Sequence, residues 1–299
     1  MNSRQKILVP LALPALYLIW GATFLGMKFA IESFPPFLMA ALRFLCAGGL
    51  LYLLLRWRGA ANPTLPQWGG AATVGTLLLA VGNGGVAYAQ QTVATGVAAM
   101  VIGTVPLWTV LAARAWGQKP RRNEILGIAL GISGVAVLNV TGSLQSSPAG
   151  TVILLAAAMA WAFGSMWGKH LPMPQGAMAS AAQMLCAAAV LAVMSAVSGE
   201  SMAATPSAKA LLALAYLVVF GSLVAYSVYL YLLKTVRPAL ATSYAFVNPV
   251  VAMLLGAWLA EEPVVMHDLI ALGIILASVL LVLPFSRRDA TSTPDSARR

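Results

Sequence analysis

The sequence predicts an all-α integral membrane protein with ten transmembrane helices, arranged as two inverted five-helix repeats. Three observations lead to this prediction: the composition, the length of the apolar runs and an internal repeat. Of the 299 residues, 60% are hydrophobic and 9% are charged, whereas an ordinary soluble domain is roughly 25% charged. So few charges cannot cover the surface of a soluble protein of this length. We therefore expect a membrane protein with almost no soluble domain.

Apolar runs long enough to cross the hydrocarbon core of a bilayer recur along the whole chain. They are too long and too uniformly apolar for the strands of a membrane barrel, so α-helix is the expected state. The predicted spans 1 to 10 cover about residues 9–31, 37–55, 69–90, 95–116, 124–141, 150–168, 177–198, 210–233, 239–259 and 266–285.

The internal repeat is visible in the spacing of a few residue types. Residues 20–28 read WGATFLGMK and residues 161–169 read WAFGSMWGK, so Trp and Lys recur 141 positions later (161 − 20). Three more residues recur at an offset of 143 positions: Pro106 as Pro249, Tyr88 as Tyr231 and Pro120 as Pro263. Such offsets indicate a duplicated unit. The predicted repeats cover 9–141 and 150–285, and a disordered polar tail is predicted at 286–299.

Basic residues gather on one side of the predicted bundle. With the N-terminus in the cytoplasm, 15 of the 18 Lys and Arg lie on the cytoplasmic side, and Lys28, Arg43 and Lys209 lie toward the other. This bias predicts that both termini are cytoplasmic. Because five is an odd number, the second half begins on the opposite side from the first, which makes the repeat inverted. The basic segments are expected to meet anionic lipid headgroups and not nucleic acid.

Several features occur in an order that points to a known family. They are a Trp near the middle of spans 1 and 6, a Pro in spans 4 and 9, Arg43 early in span 2, and the stretch from Pro249 through Gly256 to Glu262-Pro263. This pattern, over about residues 10–285, resembles the EamA family of the drug/metabolite transporter superfamily, in particular its YddG-like ten-helix amino acid and metabolite exporters. The resemblance implies export of a solute across a bacterial inner membrane through a central cavity. One departure is Lys119-Pro120 in the first half, where the second has Glu262-Pro263.

Pro106 and Pro249 are predicted to lie in the middle of spans 4 and 9. A proline inside a helix removes a backbone donor and clashes with the carbonyl four residues earlier. At membrane depth those carbonyls, of Ile102 and Ala245, need another partner. We interpret both prolines as hinges or kinks that line the solute path, with a static packing kink as the alternative.

Polar and aromatic side chains within the spans are the candidates for a solute site, which inverted repeats place near the bilayer midplane. Amides in hydrocarbon are costly unless they bond across helices or face water, so Asn83 and Asn248 either bind a polar solute or join helices. Tryptophans inside spans form an aromatic wall that attracts ammonium groups, or pack in the core. The candidates are Trp20, Asn83, Tyr88, Gln91, Trp108, Trp161, Tyr226, Tyr244 and Asn248.

Lys28 and Arg43 are the charged candidates, because ionisable residues within a membrane are functional by default. Lys28 is expected to pair with Glu32, one helical turn away. Arg43 lies one or two turns inside span 2, where it either binds an anion such as a substrate carboxylate or anchors the helix at the interface. No acidic residue is predicted near the middle of a span, which favours facilitated over proton-coupled transport.

No catalytic or metal-binding constellation is predicted. His170 and His267 fall on opposite sides of the membrane, and Cys46 and Cys186 lie in separate spans, so we expect no metal, cofactor or disulfide. No HExxH motif or nucleophile elbow is present, and the loops are too short for a catalytic domain, so an enzyme is not expected.

Small residues predict close helix packing. Gly127-x-x-x-Gly131 in span 5 recurs approximately as Gly273-x-x-x-Ala277 in span 10, and this spacing lets two helices approach closely, inside one molecule or in a weak homodimer. Taken together, the sequence predicts an exporter of small metabolites, amino acids first, that works by alternating access. Export of hydrophobic drugs or other metabolites, a passive channel and a lipid translocator are the alternatives.

Overall fold

The computed structural model describes residues 3–115, 117, 122–140, 147–202, 204–235 and 244–282. Ten helices lie within these ranges, and their bounds agree with the predicted spans to within a few residues at most ends. They are α1 Ser3–Ala30, α2 Pro36–Trp57, α3 Leu65–Ala89, α4 Thr95–Arg114, α5 Arg122–Val140, α6 Pro148–Trp167, α7 Ala177–Val197, α8 Ala208–Thr235, α9 Tyr244–Leu259 and α10 Met266–Val282. The predicted tail at 286–299 and the pair Lys119-Pro120 lie outside the described residues.

Length and composition make most of these helices membrane spans. In the described part of the chain, seven helices, α1 to α4 and α6 to α8, are long and apolar enough to cross a bilayer. Two shorter apolar helices, Val247–Leu259 and Met266–Leu281, belong to α9 and α10. The prediction of an all-helical membrane protein is thereby confirmed.

Carboxylates join several loops at one end of the bundle, which we term the acidic end. Both oxygens of Glu200 accept hydrogen bonds from the first turn of α2, from the amides of Phe37 (3.0 Å) and Leu38 (2.9 Å). Both oxygens of Glu262 accept from the amide of Thr95 at the start of α4, at 2.9 Å. Lys209, at the start of α8, forms a salt bridge of 2.8 Å with Glu32, which follows α1.

The directions of the helices show that the repeat is inverted. α1 ends at the acidic end, whereas its counterpart α6 begins there, because Gly150 of α6 packs against Thr92 and Val93 in the loop before α4. In the same way α2 begins at the acidic end and α7 ends there. Corresponding helices of the two halves therefore run in opposite directions, as the odd number of spans predicts.

The packing of the helices follows the same symmetry. The symmetry relates each helix to the one five places along, so α1 corresponds to α6, α3 to α8 and α4 to α9. The helix α1 contacts α8 and α9, and its counterpart α6 makes the corresponding contacts with α3 and α4. The contacts of α2 with α8 become those of α7 with α3, which are also observed. Three further contacts join a helix directly to its own counterpart: α2 to α7, α4 to α9 and α5 to α10. The two halves are thus interleaved around one shared pseudo-twofold axis.

The helix α4 is interrupted rather than bent. It consists of Thr95–Ile102 and Val105–Arg114, separated by a turn at Gly103 and Thr104. Pro106 lies in the first turn of the second segment. The N–H groups of a first turn have no acceptor within the helix, so the proline costs this segment no hydrogen bond. The prediction that Pro106 lies in the interior of an unbroken helix is therefore wrong, although Gly103 and Thr104 keep right-handed helical dihedrals across the turn. Pro249, in contrast, does lie inside α9 and is buried.

Corresponding helices of the two halves also share a widened segment. α3 contains a π-helical stretch at Thr76–Gly84, and α8 contains one at Leu217–Val224. Their first residues are 141 positions apart (217 − 76), the same offset as the Trp and Lys of the repeat. A π-helical turn changes the carbonyl pairing of a helix and often occurs at functional sites.

Small residues pack α5 against α10, but only from the α5 side. A Cβ atom at Gly131 would collide with Leu107, and one at Gly134 would lie 2.8 Å from Cγ1 of Ile275 in α10. Gly273 has no atom within 4 Å of such a position, and Ala277 is exposed. The small residues of α10 therefore face outward. The prediction of internal packing holds for Gly131 of α5 and is wrong for Gly273 and Ala277 of α10.

Candidate solute site

The two tryptophans of the repeat contact each other at the centre of the molecule. Trp20 of α1 and Trp161 of α6 pack edge to face, with ring centroids 6.5 Å apart and planes at 88°. Because they occupy equivalent positions in the two halves, a contact between them places both beside the pseudo-twofold axis. In an inverted repeat this axis lies in the membrane plane, so the pair marks the midplane.

Tyrosines from α8 and α9 extend this pair into an aromatic cluster. The ring of Trp20 lies 5.1 Å from that of Tyr229 and 4.8 Å from that of Tyr244. Tyr226 lies 6.4 Å from Tyr229, and its hydroxyl donates to Oε1 of Gln183 in α7 at 2.7 Å. The central cluster, defined as Trp20, Trp161, Tyr226, Tyr229 and Tyr244, thus takes residues from four helices of both halves.

The π-helical segment of α8 binds the indole of Trp20. The amide of Ala225 would donate to the carbonyl of Gly221 in an α-helix, but here it donates to the carbonyl of Phe220. The Gly221 carbonyl accepts instead from Nε1 of Trp20, at 3.2 Å. A polar backbone group of α8 is therefore directed at the central cluster, and it fixes the orientation of one of its rings.

Arg43 lies next to this contact and is buried. Only 4% of its surface is exposed, and its Nε donates to Oγ of Ser222 in α8 at 2.9 Å. The guanidinium carbon also lies 5.0 Å from the ring centroid of Phe44. A side chain held in this way does not reach the interface, so of the two roles considered for Arg43 the structure is incompatible with anchoring.

The two amide candidates have different surroundings. With its amide assigned so that the nitrogen faces the surrounding acceptors, Asn248 donates to the carbonyls of Tyr17 (3.2 Å) and Tyr244 (3.1 Å) and so joins α9 to α1. Asn83, in the π-helical segment of α3, is half-buried and has no hydrogen-bond partner among the described residues. It follows Gly82, where a Cβ atom would lie 3.1 Å from the ring of Trp161. Of the two asparagines, only Asn248 is therefore held by hydrogen bonds within the described residues.

Three aromatic or amide candidates lie away from the central cluster. Tyr88 is 42% exposed and stacks on Phe37 near the acidic end, with centroids 5.3 Å apart. Gln91 is exposed, and its Nε2 donates to the carbonyl of Tyr88. Nε1 of Trp108 donates to Oγ1 of Thr104, within α4 itself. The structure therefore does not place Tyr88, Gln91 or Trp108 with the other candidates.

The predicted pair of Lys28 and Glu32 is not formed. Glu32 instead contacts Lys209, whereas Nζ of Lys28 donates to the backbone carbonyl of Gln90 at 3.3 Å. Gln90 is fully buried and donates through Nε2 to the carbonyl of Phe24. Lys28 therefore ties α1 to the end of α3 and does not reach the central cluster.

The list of candidates from the sequence leaves out several residues that shape the site. Tyr229 contacts Trp20 directly, Ser222 and Gly221 position Arg43 and Trp20, and Gln183 accepts from Tyr226. Gln183 could have been found, because it is an amide inside an otherwise apolar span. Ser222 carried no such signal, since isolated serines are common in membrane helices. Among the described residues, no three His, Cys, Asp or Glu side chains are grouped as metal ligands.

Similarity to known proteins agrees with this architecture. The sequence profile of the EamA-like transporter family matches twice, at residues 9–140 and 148–283. The chain belongs to the EamA-like transporter family. It is therefore a membrane transporter and not an enzyme, and each family unit covers one of the two structural halves.

Individual relatives agree with this family assignment. The chain is 47% identical over 282 residues to YedA, an uncharacterized inner membrane transporter of Escherichia coli, covering 93% of this chain and 92% of YedA. It is 25% identical to the transporter YoaV of Bacillus subtilis, over 94% and 98% of the two chains. A probable amino-acid metabolite efflux pump of Salmonella typhimurium is 30% identical over 173 residues, 52% of this chain.

A solved structure supports the fold. A crystal structure whose chain is 20% identical superimposes with a TM-score of 0.67, covering 95% of this chain and 99% of the other. At this identity the likeness concerns the arrangement of the helices alone.

Proposed function

We propose that this protein exports small metabolites, amino acids first, across a bacterial inner membrane by alternating access between its two repeats. The observation that carries this proposal is the contact between Trp20 and Trp161, equivalent residues of the two halves, within a ring of tyrosines. A site on the axis of an inverted repeat is presented to either side of the membrane by the same relative motion of the halves.

The chemistry of the central cluster favours a solute with both an apolar and a polar part. Aromatic rings provide an apolar wall and attract ammonium groups. The Gly221 carbonyl and Arg43 supply polar groups beside Trp20, and Asn83 follows Gly82, which packs on Trp161. An amino acid has an ammonium group, a carboxylate and a side chain that match these features. The name of the Salmonella typhimurium relative, an amino-acid metabolite efflux pump, supports the same substrate class.

The orientation of the protein is part of this proposal. The acidic end faces the periplasm, both termini are cytoplasmic, and the basic segments at the other end meet anionic headgroups. No described Asp or Glu contacts the central cluster, which supports facilitated movement down a gradient.

Reconstitution into liposomes tests the function. We expect saturable uptake of one or more labelled amino acids that unlabelled substrate competes with, and that continues without a pH gradient. A panel of amino acids, other metabolites and hydrophobic cationic drugs identifies the substrate class. Conductance that does not saturate would assign a channel instead, and movement of labelled phospholipid without solute uptake would assign a lipid translocator.

A further inference from the structure

Arg43 is a buried charge for which the described part of the protein supplies no opposite charge. Four of the six described carboxylates have partners elsewhere: Glu32 binds Lys209, Glu200 and Glu262 bind helix N-termini, and Asp268 accepts from the amide of Val265. The other two, Glu124 and Glu261, lie near the ends of α5 and α9 and form no ion pair with Arg43. Burying an unpaired charge is costly, so such residues are retained where they bind an ion or a ligand.

Two of the three guanidinium nitrogens have no hydrogen-bond acceptor among the described residues. Nε is occupied by Ser222, while Nη1 and Nη2 have no acceptor within the described ranges. These two nitrogens form the planar fork that matches the two oxygens of a carboxylate. Arg43 is seven positions beyond Pro36, so it enters the bundle about 10 Å below the start of α2.

Nη2 lies against Gly221, whose carbonyl holds a ring of the central cluster in place. A Cβ atom at Gly221 would be 3.1 Å from Nη2 of Arg43 and 2.9 Å from Cγ2 of Thr23, so the guanidinium packs over the one residue of α8 without a side chain. The carbonyl of that same glycine binds Nε1 of Trp20. Gly221 therefore lies between the guanidinium nitrogens that would bind such a group and the indole of Trp20 at the pseudo-twofold axis.

We propose that Arg43 binds the carboxylate of the transported solute, while the central cluster contacts the rest of that molecule. This inference rests on the proposed function and adds a requirement for a carboxylate. A single guanidinium, with Ser222 as its neighbour, suits a monoanion. The position equivalent to Arg43 in the second half is Met184 (43 + 141), which is buried and apolar. The charge is thus present on one side of the axis only, and the solute binds in one orientation.

Transport of matched solutes by reconstituted protein tests the inference. For whichever amino acid the wild-type protein transports, its carboxamide, which lacks the negative charge, is compared by direct uptake and by competition. The wild type is expected to favour the amino acid roughly tenfold to hundredfold, as for the loss of a charged hydrogen bond. Arg43→Gln is expected to abolish this preference while still transporting the amide. Arg58→Gln, which removes an exposed arginine just after the end of α2, is the matched control and is expected to keep the preference.

Gly221→Ala provides a second variant if Arg43→Gln does not fold. Its added methyl group displaces the guanidinium without removing the charge, and it is expected to weaken the preference for the carboxylate. If the wild type transports amino acids and either folded variant keeps the full preference, the carboxylate site is wrong and the proposed function stands. Failure of the wild-type protein to transport any amino acid would instead contradict the proposed function itself.

Discussion

At the scale of single residues, the contacts of the central cluster separate candidates that look alike in the sequence. Trp20, Trp161, Tyr226 and Tyr244 are all candidates from the sequence, as polar or aromatic residues inside apolar spans, and the structure brings them into one cluster. Trp108 satisfies the same criterion but bonds within its own helix. The rings differ in the side chains that they contact, and these contacts depend on how the helices pack.

Removal of either central ring should weaken transport without unfolding the protein. An aromatic contact contributes about 0.5–1.5 kcal/mol beyond area burial, so Trp20→Ala and Trp161→Ala should each raise the KM for uptake at least about two- to tenfold. Trp258→Ala is the control, because Trp258 is 77% exposed and lies outside the cluster. Unchanged uptake by both central variants would remove the rings from the solute path.

The two asparagines should respond differently to substitution by alanine. Asn248→Ala removes two hydrogen bonds to backbone carbonyls and should destabilise the protein by about 1–3 kcal/mol, seen as a lower thermal midpoint in detergent. Asn83→Ala should leave that midpoint unchanged and reduce uptake, since Asn83 has no described partner to lose. The double variant should combine both effects. A lowered midpoint for Asn83→Ala alone would indicate a structural role.

The sequence predicted which residues are unusual at this scale, but not their partners. Asn248 was expected either to bind solute or to join helices, and only the position of the Tyr17 carbonyl decides for the second role. The predicted pairing of Lys28 with Glu32 rested on helical spacing and was wrong, because Glu32 forms its salt bridge with Lys209 of α8. Local spacing cannot account for a competing charge 177 positions away.

At the scale of helices, close approach depends on individual glycines. The counterparts α2 and α7 meet at Gly48. A Cβ atom there would lie 2.9 Å from the Cβ of Met184 and 3.1 Å from the amide nitrogen of Leu185. The neighbouring Gly49 has nothing within 4 Å. The sequence shows two adjacent glycines and gives no indication that they differ.

These adjacent glycines make a matched pair of variants. Gly48→Val should force α2 and α7 apart and destabilise the protein by about 1–3 kcal/mol, as overpacking of a well-packed contact does. Gly49→Val should have little effect, because its side chain enters open space. Thermal unfolding in detergent measures both. Equal midpoints would mean that the approach of α2 to α7 does not depend on Gly48.

The helices themselves were predicted well, and their irregularities were not. Apolar length predicts the ten spans, since a helix must satisfy its own backbone in lipid. The interruption of α4 was expected only as a bend at Pro106. The π-helical segments of α3 and α8 contain no proline, so the sequence gives no local signal for them. In α8 the Gly221 carbonyl that the π-helical turn leaves unpaired binds Trp20 of another helix, which spacing along the chain does not reveal.

At the scale of the whole molecule, carboxylates of the second half bind helix starts of the first half at the acidic end. Gly256 provides the space for the carboxylate of Glu262, whose Oε1 also accepts from the hydroxyl of Thr95 at 2.8 Å. This explains the stretch from Gly256 to Glu262 that the sequence resemblance rests on. An anion at a helix N-terminus is favourable, so these contacts connect the two halves at one end.

Loss of this contact should open the acidic end. Glu262→Gln weakens the binding of Thr95, so a cysteine introduced at the buried Val97 beside it should react faster with a membrane-impermeant maleimide added from that side. We expect roughly a tenfold increase in rate, the size of one charged hydrogen bond. Glu261→Gln, at the exposed neighbouring residue, should leave the rate unchanged. An equal rate in both variants would show that Glu262 does not close this end.

The central claim is that the two repeats present one axial site to each side of the membrane in turn. The most direct measurement is the labelling rate of Tyr229→Cys, with Cys46 and Cys186 replaced by Ser, using an impermeant thiol reagent in oriented vesicles of both orientations. The account predicts labelling from both sides, with a transported solute changing the two rates in opposite directions. Labelling from one side only, or from neither, under all conditions would contradict it.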